Sequence, residues 1–174
     1  TVSFCLEIKE KPIHFGEKRI ELTKKYIKEH YNLQVQDIKI NPKIIVIHHT
    51  GIDDFDTSYK RFEKEVLPND RPDISSAGKL NVSAHFMVDT DGSIFQLMSE
   101  SHMARHVIGL NYSSIGIENV GGEGFKDNLT SAQLQSNIEL VKYLQKKYPT
   151  IKYLIGHREY RNFENNPLWL EKDS

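Results

Sequence analysis

Four consecutive β-branched residues, Ile44-Ile45-Val46-Ile47, stand between Asn41-Pro42 and Gly51 and lead directly into His48 and His49. A run this short, apolar on both alternating faces and closed by turn formers, reads as a strand buried in the middle of a sheet. Such a strand needs a covering layer on each side, and the rest of the chain must supply it. Residues 16 to 31 set Ile20, Ile27 and Tyr31 at helical spacing among Lys and Glu, which predicts an amphipathic helix. Residues 56 to 66 predict a short helix opening at Asp56 or Thr57. Leu67 to Ser83, rich in Pro, Asp, Ser and Gly, predicts a long loop of the kind that is often functional. Asp89-Thr90-Asp91-Gly92 lies between two short apolar runs and predicts a hairpin with Gly92 left-handed. Ser113 to Gly122 predicts a strand running into a glycine turn. Thr130 and Gln133 form a capping box before Leu134, Ile138, Val141 and Tyr148, the expected apolar stripe of the clearest helix. Tyr153 to Gly156 predicts a last strand, and in the polar, aromatic tail beyond it Phe163 and Trp169 are expected to pack on the domain. The expected class is α/β, a central mixed β-sheet flanked by helices.

Composition narrows what such a sheet can serve. At 174 residues the chain is expected to be one domain, large enough to bury a core without a disulfide or a structural metal. Lys and Arg number 23 against 24 Asp and Glu, so the basic excess of a nucleic-acid binder is missing. No apolar run approaches the roughly 18 residues of a membrane helix. Cys5 is the lone cysteine, which excludes an internal disulfide and leaves any metal to His and carboxylates. The chain opens TVSFCLEIKEK, without Met and without a basic segment ahead of an apolar one. The expectation is that a targeting segment has been removed or that the stretch is part of a longer chain.

Eight histidines are the chemistry-bearing residues to sort: 14, 30, 48, 49, 85, 102, 106 and 157. His14 and His30, in polar surroundings, are expected at the surface. His48 and His157 each end an apolar strand, where a rigid element presents a side chain to a crevice, or where an imidazole simply caps a backbone carbonyl. His48 and His49 must point to opposite faces, and periodicity does not choose between them because Ile44 to Ile47 are all apolar. Glu118 lies on the strand face opposite Ile115 and Ile117, in line with Gly116. A carboxylate there is an ion-pair partner or a general base.

Four short segments, IVIHHT, SAHFMVDTDGSIFQL, ARHVIGLNYSSIGIENVGG and LIGHREY, occur in the order found in the zinc N-acetylmuramoyl-L-alanine amidases of the second amidase family. The chain resembles that family over about residues 43 to 160, with residues 1 to 40 as an N-terminal helical segment packed on the same single domain. Peptidoglycan recognition proteins and phage-type amidase lysozymes share the fold. The resemblance implies His48 and His157 as zinc ligands, Glu118 as the catalytic acid–base group, and Arg105 and His106 as substrate contacts or an ordinary polar rim. The position of the catalytic Tyr of other branches is Ala84, which leaves the burden on Glu118. The family's third ligand, Asp or Cys in K-x-[DC]-P, has no clear match before Ser174. It is expected, with the catalytic Lys, beyond the end of this sequence, and Asp173 is the alternative within it.

The implied activity is hydrolysis of the amide between N-acetylmuramic acid and L-alanine of the stem peptide by a zinc-activated water. The alternative is a muropeptide-binding module of the same fold that does not cut. The implied cofactor is zinc and the implied partner is polymeric peptidoglycan or a soluble muropeptide. The expected site of action is the cell envelope or periplasm, or outside the cell, with the chain acting as a monomer. The loop from Leu67 to Ser83 is the candidate wall of a substrate groove.

Overall fold

The run from Ile44 to Ile47 sits inside a six-stranded mixed sheet. The computed structural model describes residues 5–172. The strands are β1 (Ile8–Glu10), β2 (Ile44–His49), β3 (Phe86–Val88), β4 (Ile94–Gln96), β5 (Ser114–Asn119) and β6 (Tyr153–Gly156). The helices are α1 (Glu17–Tyr31), α2 (Phe55–Glu63), α3 (Pro72–Ser75) and α4 (Ser131–Lys147). Strand order is β1-β4-β3-β5-β2-β6, with β2 parallel to β5 on one side and to β6 on the other. Ile44, Ile45 and Val46 are wholly buried. Apart from the antiparallel β3–β4 hairpin, every pairing in the sheet is parallel. Gly92 turns that hairpin with φ of 87°. The edge strand β1 was not among the expected elements.

The two sheet faces bury different residues because side chains alternate. Ile45, Ile115 and Ile117 pack with Leu140 and Leu144 of α4. Ile44 and Val46 pack on the other face with Val107, Leu110 and Phe163, and Leu168 and Trp169 lie against that cluster. Trp169 also stacks on Tyr160, with 6.1 Å between ring centroids. The tail begins as a 3-10 helix over His157–Phe163. It then bonds back to the domain through Leu170 N–H to the Gly109 carbonyl (2.9 Å).

Two expectations about buried faces are corrected. Leu134 and Ile138 of α4 are about half exposed, at 53% and 41%, while Gln133, Ser136 and Asn137 are buried. The N-terminal half of α4 lies over polar groups at the strand ends, where amide side chains make hydrogen bonds that leucines could not. Gln133 Nε2 donates to the carbonyls of Val88 and Val120, and Asn137 Nδ2 donates to Asn119 Oδ1 at 2.6 Å. His30, expected at the surface, is buried at 8% exposure. Its ring lies against Tyr26 and is held by Glu171 (2.5 Å) and the Ala77 carbonyl (2.9 Å).

Thr130 caps α4 as the sequence predicts, accepting from Gln133 N–H at 3.0 Å while Gln133 Oε1 accepts from Thr130 N–H. Thr130 Oγ1 also donates to the Thr90 carbonyl in the hairpin turn (2.7 Å). Thr130→Ala is therefore expected to lower folding stability by about 1–2 kcal/mol, read as a shift of the urea midpoint at constant slope.

Candidate active site

Three neighbouring parallel strands deliver the candidate residues. His48 and Glu118 are direct partners in the β2–β5 register, so their side chains leave the same sheet face near the C-terminal ends of the strands. His157 follows Gly156, the last residue of β6, which pairs with Ile47 beside His48. Crevices outside the carboxyl ends of parallel strands are where open α/β sheets bind their ligands.

The side chains converge on one nitrogen. His48 Nδ1 is 3.1 Å from His157 Nδ1 and 4.0 Å from Glu118 Oε1. On the other side of the same ring, His48 Nε2 lies 2.9 Å from His106 Nδ1. His106 Nε2 in turn lies 3.1 Å from Ser114 Oγ. His49, by strand alternation, is exposed on the opposite face against Gly122. So His48, Glu118, His157 and His106 form one cluster, and His49 stands outside it.

Burial sets the charge of this cluster. Desolvation, with His157 alongside, holds the His48 imidazole at about 3 rather than 6.5. His157, an exposed residue, is lowered by the partial desolvation of its ring, and His106 is held well below its ordinary value by desolvation and by His48. Glu118 moves the other way: burial raises its carboxyl from 4.5 to about 8, and its Oε2 has no hydrogen-bond partner. The site thus holds neutral imidazoles beside a carboxyl that can take or give a proton near neutrality, the property required of an acid–base group.

Arg105 reaches the same cleft, but its guanidinium is occupied. It donates to the carbonyls of Ile74 (3.1 Å), Gly78 (3.3 Å) and Leu80 (2.5 Å), and it lies 5.1 Å over the Tyr26 ring. All three carbonyls belong to the segment from Leu67 to Ser83. That segment contains the short helix α3 and is further tied down by Asn81, whose amide donates to Arg61 and Lys64 carbonyls. It is a pinned wall, not a free loop. Its Arg71 and Val82, with Arg61 of α2, bound a cavity of about 380 Å³ against His48, His106 and Glu118. A second cavity, of about 940 Å³, opens on the other side of His48 and His157 and is rimmed by Phe125, Arg158 and Tyr160.

Two residues of this framework drew no functional reading from the sequence. Ser114 touches His106, and its signal was the alternation Ser114, Gly116, Glu118 opposite Ile115 and Ile117. His85 is fully buried, accepts from Gly116 N–H (3.0 Å) and bonds the His102 carbonyl (2.7 Å). Nothing in its local sequence separates it from an ordinary strand residue.

His48 Nδ1 and His157 Nδ1 are the nitrogen donors that face one another. Two nitrogens sharing one zinc at about 2.0–2.1 Å each would stand roughly 3.3 Å apart in tetrahedral geometry. The observed 3.1 Å fits, as does the neutral state of His48. Among the described residues no third His, Cys, Asp or Glu completes the group. Asp173, the alternative third ligand, lies outside the described residues.

Comparison with known proteins gives a consistent picture. An endolysin of Escherichia phage T7 is 39% identical over 75 residues, which make up 41% of this chain and 50% of the endolysin. The chain thus spans about half the length of the curated phage relatives it matches. Among solved structures, the amidase LysC of Clostridium intestinale superposes with a TM-score of 0.56 at 24% identity, covering 89% of this chain and 85% of LysC. The Escherichia coli amidase AmiD, solved with the substrate anhydro-N-acetylmuramic acid-L-Ala-D-gamma-Glu-L-Lys, superposes with a TM-score of 0.51 at 25% identity, covering 78% of this chain and 56% of AmiD. The family model described as N-acetylmuramoyl-L-alanine amidase matches residues 38–167, well over half of the chain and the whole of the cluster just described. With its mixed sheet, its strand-end cluster and this match, the chain belongs to the N-acetylmuramoyl-L-alanine amidase family.

Proposed function

We propose that the protein hydrolyses peptidoglycan at the amide between N-acetylmuramic acid and L-alanine of the stem peptide, with zinc held by His48 and His157. The observation that supports this most is the meeting of two facing imidazole nitrogens with a buried carboxyl, its Oε2 without a hydrogen-bond partner, at the ends of three parallel strands. When bound there, zinc supplies a Lewis acid for the amide carbonyl and lowers the pKa of bound water.

The chain's own residues carry the proton. Glu118 takes a proton from the attacking water as the new carbon–oxygen bond forms. It returns that proton to the amide nitrogen as the carbon–nitrogen bond breaks, leaving a lactyl carboxylic acid and the free α-amine of L-alanine. Arg71 of the wall and Arg61 of α2, at present paired with Asp73 and Asp70, line the cleft and are cations suited to the carboxylates of a stem peptide. The wide second cavity, with exposed Phe125 on its rim, suits the sugar. The non-cutting alternative is disfavoured by Glu118, since a binder has no use for a buried carboxyl beside a histidine pair.

The substrate is then the bacterial wall, and the site of action the cell envelope or the outside of the cell. No helix among the described residues is long and apolar enough to cross a membrane. Purified sacculi provide the test. The protein should release stem peptides with new L-alanine amino termini, lose that activity after chelation and regain it on adding zinc. Binding to sacculi without release, at any zinc level, would establish the binding module instead.

A further inference from the structure

Only Nδ1 of His48 faces His157 and Glu118, so the ring offers a lone pair there only if its proton sits on Nε2. The hydrogen bonds behind the ring decide this. Ser114 Oγ–H donates to the Leu110 carbonyl at 2.8 Å, so the hydroxyl has only lone pairs left for His106 Nε2, 3.1 Å away. His106 Nε2 therefore carries a proton and donates. A neutral imidazole has one N–H, which leaves His106 Nδ1 as an acceptor for His48 Nε2–H at 2.9 Å. His48 Nδ1 is then the bare nitrogen.

The surroundings hold this order in place. Asn111 Oδ1 accepts from the backbone N–H groups of both His106 and Val107, each at 2.8 Å. The ring of His106 lies so close to β5 that a Cβ on Gly116 would come within 2.8 Å of its Nδ1. On one face of β5, then, Ser114 orients His106, Gly116 makes room for it and Glu118 enters the site.

We infer that Ser114 and His106 form a relay that fixes the tautomer of His48 and presents its Nδ1 lone pair to a metal, making His106 a positioning residue. This rests on the metal reading above, and outer partners of metal-binding histidines generally act in this way. The relay also gives His106 a task that requires no contact with substrate.

The test uses the whole chain with ¹⁵N-labelled histidine, stripped of metal, and long-range ¹H–¹⁵N correlation to read each ring's tautomer. In the wild type His48 should carry its proton on Nε2. In Ser114→Ala and His106→Leu it should become a mixture of tautomers, and His106→Gln, whose amide keeps both an acceptor and a donor, should return it towards the wild-type state. Zinc affinity, measured by competition with a chromophoric chelator, should fall by about 10–100-fold in His106→Leu and by less in His106→Gln. A wild-type His48 protonated on Nδ1 would overturn the relay, as would an unchanged His48 tautomer in both Ser114→Ala and His106→Leu. Failure of the wild type to bind zinc would remove the metal reading, while the tautomer spectrum would still decide the relay.

Discussion

Glu118→Gln is expected to lower turnover on a muropeptide by about 10²- to 10⁴-fold while leaving zinc affinity nearly unchanged. Gln keeps the volume and one acceptor oxygen of Glu118 but cannot take a proton from water. Glu118 is not one of the facing nitrogen donors; its Oε1 is 4.0 Å from His48 Nδ1 and its Oε2 is unpartnered. Released amine gives kcat, and chelator competition gives the zinc affinity. A variant that kept more than about half of the wild-type turnover would reduce Glu118 to a structural carboxyl. Loss of zinc binding in step with activity would instead make it a ligand.

The metal-free protein should lose about 2 kcal/mol of folding stability between pH 6.5 and pH 8, and Glu118→Gln should remove that slope. Folding raises the Glu118 carboxyl from 4.5 to about 8. Its contribution is complete below 4.5 and is lost as pH rises through 8, because the buried carboxyl must then ionise without a partner. His48 runs the opposite way. Lowered from 6.5 to about 3, it contributes fully above 6.5 and loses that contribution as pH falls through 3. The neighbouring site imidazole, His106, is likewise lowered, so its contribution is also complete above 6.5. The window from 6.5 to 8 therefore belongs to Glu118. Urea unfolding of chelator-treated wild type and Glu118→Gln at the two pH values reads it directly. A flat wild-type profile would mean that the carboxyl is not held protonated by burial.

Both predictions rest on a strand arrangement that was legible early. The β-branched run before His48 placed a central strand, and the alternation of Ile115 and Ile117 with Gly116 and Glu118 placed the carboxyl on its own face. Those readings held because strand periodicity is local: each residue's side is decided by its neighbours in sequence. The capping box at Thr130 was legible for the same reason. Its helix was found, but of Leu134, Ile138, Val141 and Tyr148 only the last two pack on the core. Leu134 and Ile138 looked like core by hydrophobicity alone. Gln133 and Asn137 are buried instead because the fold brings the Val88 and Val120 carbonyls within reach of Gln133 and the Asn119 side chain within reach of Asn137.

Arg105 and His106 show the same division within the site. Their segment pointed to the cleft, and both residues are found there. What they do in it follows from partners the sequence does not bring near them. Arg105 is claimed by three carbonyls of the wall, and His106 by His48 and by Ser114. By itself, then, the sequence determined where the main helices and every described strand but the edge strand β1 lie, and which residues stand at the strand ends, since spacing and turn chemistry act over a few residues. Only the tertiary structure decided which side of α4 is buried and which nitrogen of His48 faces the cleft. A buried polar group takes whatever partner the fold brings within about 3 Å, and no local pattern records that choice.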